Sequence, residues 1–134
     1  MGMRYLLDTD ICIYIIKQRP ASVFKRFKPI PVGDIGISSI TYSELCFGVS
    51  KSQQVARNLA ALQSFVSPLE IIPYDDTVGL FYGKVRHELE SAGKPIDPLD
   101  TLIAAHAMSL AAILVTNNAK EFRRVQGLAV EVWA

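Results

Sequence analysis

Residues 5–16 read Tyr5-Leu6-Leu7-Asp8-Thr9-Asp10-Ile11-Cys12-Ile13-Tyr14-Ile15-Ile16. A short apolar run ends in an acid, Thr9 and Asp10 offer capping side chains, and a second apolar run follows from Ile11 to Ile16. The passage predicts a buried strand turning into a helix. Asp8 then stands at the carboxyl end of a strand, which is the edge where α/β sheets bind their ligands.

Working outward, the same rhythm recurs. Pro20 opens a second helix through Phe27, and Pro29, Pro31 and Gly33 break it. Ile35 to Ser38 predicts a second strand, Ser39 to about Ser50 a helix, Gln53 to Val66 another, and Glu70 to Ile72 a brief strand. Asp75 caps a long helix reaching Ser91, and Gly93 ends it. Asp97-Pro98 has the form of an N-cap followed by proline at the first helical position, opening a helix to about Leu110. Ala112 to Val115 is the next strand. A short helix around Lys120 to Val125 and a last apolar stretch, Val130 to Trp133, complete the chain. Strands alternating with helices imply a mostly parallel sheet of four to five strands with helices on both faces, a three-layer α/β/α sandwich.

The 134 residues are the length of one domain, residues 1–134, and half of them are hydrophobic against a fifth charged, which implies a well-cored globular protein. No apolar run approaches the length of a membrane span and the N-terminus lacks the pattern of a secretory leader, so the expectation is a cytoplasmic protein with no membrane partner. Cys12 and Cys46 have neither a metal-ligand nor a redox spacing and read as reduced core thiols. The net charge of +1 gives no global argument for nucleic acid. Locally, Lys17, Arg19, Lys25, Arg26 and Lys28 gather around Phe24 and Phe27 in a segment free of acids. That face either tracks phosphates or is simply solvated, the commoner case.

Acids in unexpected places carry the functional argument. At 100° per residue Glu44 shares its side of a helix with Ile40, Phe47 and Gly48, so its carboxylate projects from an apolar stripe, and burying an unpartnered charge is costly. The pattern Thr41-x-x-Glu44 also fits a capping box, but Ser38 and Ser39 are better placed as caps. Asp100 lies above Ile103, Ala104 and Ala107, although an acid in a first helical turn also suits the helix dipole. Asp97 has a sufficient structural role as N-cap. Glu121 follows the strand that ends in Thr116, with Asn118 beside it able to orient a water or a carboxylate. His106 points about 120° away from Asp100 on the same helix, and packing explains it and His87 better than acid-base chemistry. Glycine-rich phosphate loops, nucleophile elbows and zinc signatures are absent.

Carboxylates crowded at one edge repel each other unless a cation neutralises them. Oxygen-only ligands favour a hard ion, Mg²⁺ or Mn²⁺, which shares its remaining sites with phosphate and activates water. Phosphodiester hydrolysis is the natural chemistry.

Taken together, Tyr5-Leu-Leu-Asp-Thr-Asp10, Ile40-Thr-Tyr-Ser-Glu-Leu45 and Gly93-Lys-Pro-Ile-Asp-Pro-Leu-Asp100 with Ile103-Ala-Ala resemble the motifs of the PIN-domain family, and within it the VapC-type toxins of bacterial toxin–antitoxin pairs. The resemblance implies a single PIN domain over the whole chain, Mg²⁺-dependent endoribonuclease activity (Mn²⁺ being the other candidate ion), and metal-binding roles for Asp8, Glu44 and Asp100. It also implies a VapB-type antitoxin as partner, operator DNA reached only through that antitoxin, and a homodimer within a larger complex. Relatives often carry a fourth acid directly after Thr-Asn. Here Thr116-Asn117-Asn118 intervenes and Glu121 supplies the charge, a version similar to the enteric branch, whose implied substrate is the anticodon loop of initiator tRNA. Thr9, Thr116 and Asn118 are the supporting residues. Asp10 and Asp97 stand where asparagine and glycine are usual, and each adds negative charge near the acids. Two rivals remain: a phosphoaspartyl protein, suggested by Asp8-Thr-Asp10 but lacking the following Gly-Thr, and a catalytically weak PIN-fold partner that acts through an antitoxin complex on DNA.

Overall fold

The computed structural model describes residues 3–133. Five strands, β1 Tyr5–Leu7, β2 Ile35–Ser38, β3 Glu70–Ile72, β4 Ile113–Val115 and β5 Val130–Glu131, form one sheet in the order β3-β2-β1-β4-β5 with every pairing parallel. The helices are α1 Thr9–Lys17, α2 Ala21–Phe27, α3 Ser39–Ser50, α4 Val55–Val66, α5 Asp76–Ser91, α6 Pro98–Ser109 and the short α7 Ala119–Phe122. A single 3₁₀ turn, Val32–Asp34, leads into β2.

The three central strands, β2, β1 and β4, are buried on both faces and alternate between two cores, whereas the edge strands β3 and β5 are partly exposed. Leu7, Ile37 and Val115 join Ile11, Ile15, Leu45 and Leu62 on one side, whereas Leu6 and Leu114 join Leu89, Ile103, Ala107 and Phe122 on the other. The first core is covered by α1, α2 and α4, the second by α5 and α6. The three-layer sandwich read from the sequence is therefore the observed architecture, and its sheet is fully parallel. The C-terminal strand is tied down by Glu131, whose Oε1 accepts from Arg26 Nη2 of α2 and from the buried Trp133 Nε1, both at 2.7 Å.

Two local expectations need correcting. The N-cap of α1 is Asp8 itself, whose Oδ1 accepts from the Ile11 amide at 2.9 Å, so Thr9 and Asp10 already belong to the first helical turn. A carboxylate directly after the strand reaches forward to accept from that amide without an intervening loop, which leaves no separate capping residue to find. In α3, Phe47 is 65 % exposed and the buried positions are Thr41 and Leu45, so Glu44 does not project from a buried apolar stripe. The other caps agree with the sequence reading: Ser38 opens α3, Asp75 opens α5, and Asp97, followed by Pro98, opens α6.

Candidate active site

The strand order reverses direction at β1, because β2 and β3 lie on one side of it and β4 and β5 on the other. In parallel α/β sheets the crevice at such a switch point, outside the carboxyl ends of the strands, is where ligands bind. Asp8 and Thr116 are the residues directly after β1 and β4. They are stitched together through the Asp8 amide, which donates to Val115 O at 3.0 Å, and through a side-chain hydrogen bond from the Thr116 hydroxyl to the Asp8 carboxylate. Asp8 is 4 % exposed and Thr116 fully buried.

Glu44 reaches the same edge from α3. Its Oε1 accepts a 2.6 Å hydrogen bond from the Thr9 hydroxyl, and the buried Thr41 hydroxyl stands 3.4 Å behind Thr9. This relay, rather than an apolar stripe, orients the glutamate. Thr41 is a supporting residue that the sequence offered only as a capping candidate, and its burial inside a helix is the feature that distinguishes it. Asp100 arrives in the first turn of α6, half-buried above Ile103, Ala104 and Ala107, all of which are buried. Glu121 lies on α7, one turn beyond Thr116. Asn118 precedes α7; its backbone amide donates to Thr116 Oγ1 at 2.8 Å, and its side chain makes no capping bond. Neighbouring Asn117 has a buried Oδ1 without a hydrogen-bond partner among the described residues.

The electrostatics connect these positions. The Asp8 carboxyl is pushed up to about 6, chiefly by burial and further by the charges of Asp10 and Glu44, against the pull of its Thr116 and Ile11 hydrogen bonds. Asp100 is pushed up to about 7 by burial and then by Asp97, Asp8, Glu121 and Glu44. So Asp8, Glu44, Asp100 and Glu121, separated by up to 113 positions in sequence, act on one another through space. Asp10 and Asp97 add to that field from exposed positions. Among the described residues the ion pairs are Arg26–Glu131 and Arg86–Glu90, and neither neutralises this edge.

The donor set suits a hard divalent cation: carboxylates and hydroxyls, the carboxylates mutually repelling and, among the described residues, in no ion pair with a lysine or arginine. Among the described residues, no three His, Cys, Asp or Glu side chains are closed around a common ion-sized point. The acids stand within electrostatic reach of each other.

The remaining residues singled out from the sequence fall elsewhere. His106 is 1 % exposed, with Nδ1 2.8 Å from Ser38 Oγ and its ring edge-on to Tyr74, and burial lowers its pKa. It is a core side chain. His87 is exposed on α5. Lys17, Arg19, Lys25 and Lys28 are exposed around α1 and α2, but Arg26 is engaged by Glu131 and lies 5.8 Å from the centre of the Trp133 ring. Phe24 and Phe27 pack against the core. Cys12 is buried and Cys46 half-buried, both as free thiols.

A doubly wound parallel sheet with a carboxylate cluster at its switch point defines an acid-edged α/β domain of the kind that recruits a divalent ion. Residues 5–128 match the PIN domain, and the chain belongs to the PIN-domain family. The ribonucleases of this family are in general divalent-metal dependent. The chain is 46 % identical over 132 residues to a protein of Shigella flexneri named tRNA(fMet)-specific endonuclease VapC, covering 98 % of this chain and 99 % of that one. It is 43 % identical over 131 residues to Ribonuclease VapC2 of Haemophilus influenzae strain Rd, covering 98 % of each. Among solved structures, the complex VapBC2 of Rickettsia felis, bound to a DNA fragment from its promoter, contains a chain that superposes with a TM-score of 0.92 at 43 % identity, covering 98 % of this chain and all of that one.

Proposed function

We propose that this chain is the toxin of a toxin–antitoxin pair, an endoribonuclease that uses Mg²⁺ to hydrolyse a phosphodiester bond in the anticodon loop of initiator tRNA. The observation that carries the proposal is the cluster of Asp8, Glu44, Asp100 and Glu121 at the β1/β4 switch point, where burial and mutual repulsion have raised two of the four carboxyls. The names of the relatives support the choice of RNA, and of tRNA within it.

In this reading Asp8, Glu44 and Asp100 hold the ion, with Glu121 as the fourth acid. When bound, the ion lowers the pKa of a water and offsets charge on the phosphate oxygens during in-line attack. The protein's own residues do the rest. The Thr116 hydroxyl and the Ile11 amide fix one face of the Asp8 carboxylate, leaving its other lone pairs for the ligand. Thr9, backed by Thr41, holds Glu44 in one rotamer across the crevice from Asp8. Burial of Asp8 keeps bulk water from the back of the site.

A VapB-type antitoxin is the proposed inhibitor, and through it the complex reaches operator DNA, by analogy with the Rickettsia complex. The setting is the bacterial cytoplasm. No helix among the described residues is long and apolar enough to cross a membrane. The second reading, a catalytically weak partner acting only through the antitoxin on DNA, draws on the extra charge of Asp10 and Asp97 beside the acids.

Antitoxin-free protein incubated with total tRNA and Mg²⁺ separates the two. Discrete fragments that disappear with EDTA and with Asp8→Ala are the expected result. A folded, metal-loaded protein that leaves every tRNA intact refutes the nuclease reading in favour of the second.

A further inference from the structure

Apart from the acid cluster, the molecule has a groove of about 730 Å³ between the C-terminal half of α5 and the segment from α7 onward. Leu89 and Val125 belong to its lining and to the core beneath. Its polar lining includes Lys94, Lys120, Arg123 and Arg124 against one carboxylate, Glu88, a local surplus of positive charge in a chain whose net charge is only +1. None of the four cations forms an ion pair among the described residues.

The groove borders the acid edge on two counts. Lys120 and Arg123 stand on either side of Glu121 in sequence, and Lys120, Arg123 and Arg124 line the groove whereas Glu121 does not. This short segment thus carries both an acid whose charge helps raise the Asp100 carboxyl and cations that line the groove. Arg124 Nη1 donates to Pro95 O at 3.0 Å, which fastens this wall to the connection that opens α6 and delivers Asp100 three residues into that helix.

Resting on the nuclease reading, we propose that this groove is a substrate subsite that holds the sugar-phosphate backbone of the RNA beside the bond to be cut, through Lys94, Lys120 and Arg123. A cluster of acids alone repels a polyanion. Cations set immediately beside it supply the attraction, and their hold on the backbone is independent of base sequence. The arrangement favours RNA over an acidic protein segment because the element that lines the groove also carries Glu121, so a peptide carboxylate held there would stand beside Glu121 and Asp100, whereas a phosphodiester would stand beside the ion they would hold. Arg124, already bonded to Pro95, serves as a wall.

The test compares the triple variant Lys94→Gln/Lys120→Gln/Arg123→Gln with the double variant Lys25→Gln/Lys28→Gln, all exposed positions, so both should keep the wild-type melting temperature. Binding of initiator tRNA transcript is measured in EDTA across a salt series, and cleavage is measured separately with Mg²⁺. The triple variant should bind at least tenfold more weakly, with the slope of log K against log salt reduced by about 2 to 3, since each phosphate no longer neutralised removes about 0.7–0.9 from it. Its KM should rise while single-turnover cleavage at saturating RNA is kept. An unchanged slope and KM overturn the subsite and leave the nuclease intact. Loss of antitoxin affinity with RNA binding unchanged also overturns it, by making the groove a protein site. Absence of cleavage by the wild type refutes the nuclease reading instead, and the EDTA titration still reports on the groove.

Discussion

Replacing Asp8 with asparagine separates charge from shape at the centre of the site. The carboxyl is nearly inaccessible and its pKa is raised from 3.8 to about 6, a difference worth about 3 kcal/mol at 1.36 kcal/mol per pH unit. The folded protein therefore binds this proton more tightly than the unfolded chain does. The stabilisation is complete below pH 3.8 and is lost as pH rises through about 6. At pH 5 roughly half of it remains, and at pH 8 essentially none. Asparagine retains an oxygen that can accept from the Ile11 amide, is an equally good N-cap, and carries no charge to bury. In EDTA at pH 8, Asp8→Asn should be more stable than the wild type by about 1–3 kcal/mol, the lower value allowing for imperfect retention of the Thr116 bond. That is roughly 3–4 °C in Tm per kcal/mol for a domain of this size. Urea unfolding in EDTA between pH 5 and pH 8 should show the advantage shrinking by about half at the acid end. Adding Mg²⁺ should stabilise the wild type and leave the variant nearly unmoved, because an ion that binds only the native state adds stability through mass action. A variant less stable than the wild type at pH 8 in EDTA, or an advantage independent of pH, would show that the buried Asp8 charge does not destabilise the fold.

Three further substitutions probe the framework. Thr9→Val keeps the shape but removes the donor to Glu44 Oε1; it should lower kcat/KM by about tenfold with the fold intact, and unchanged turnover would show that Glu44 needs no positioning. Glu131→Ala strips the buried Trp133 indole of its acceptor and Arg26 of its partner, and should cost about 1–3 kcal/mol in urea unfolding, with a cost near zero showing that water replaces the carboxylate. Gly36→Ala places a Cβ 2.5 Å from Met3 Sδ, 2.8 Å from Ile72 Cδ1 and 3.2 Å from Glu70 O inside β2, so it should destabilise by about 1–3 kcal/mol; a neutral result would mean that β3 shifts outward freely.

The positions of Asp8, Asp75 and Asp97 were legible in the sequence because each marks a change of local structure: a strand meets its end or a helix its beginning, and the physics there is confined to a few residues. Asp100 was legible through Ile103, Ala104 and Ala107 one and two turns on, which are buried as expected. For Glu44 the apolar-stripe argument does not hold. Phe47 is exposed, so helical periodicity did not report the buried side of α3, and what holds the glutamate is a hydroxyl relay whose members lie 35 positions apart. Arg26 was grouped with the basic residues of its segment, yet its partner is Glu131, 105 positions away. The groove beside Glu121 could not be read at all, since Lys94 meets Lys120 and Arg123 only when α5 and α7 border the same space.

By itself, then, the amino-acid order determined the succession of elements, the parallel sheet and the acids that end strands or begin helices, because periodicity and capping act over a turn or two of chain. Tertiary structure alone decided that β1 would lie between β2 and β4, and so that Asp8 would share an edge with Thr116, Asp100 and Glu121. Which strands become neighbours depends on burying both faces of the sheet at once, a condition on the whole core that no local stretch of sequence expresses.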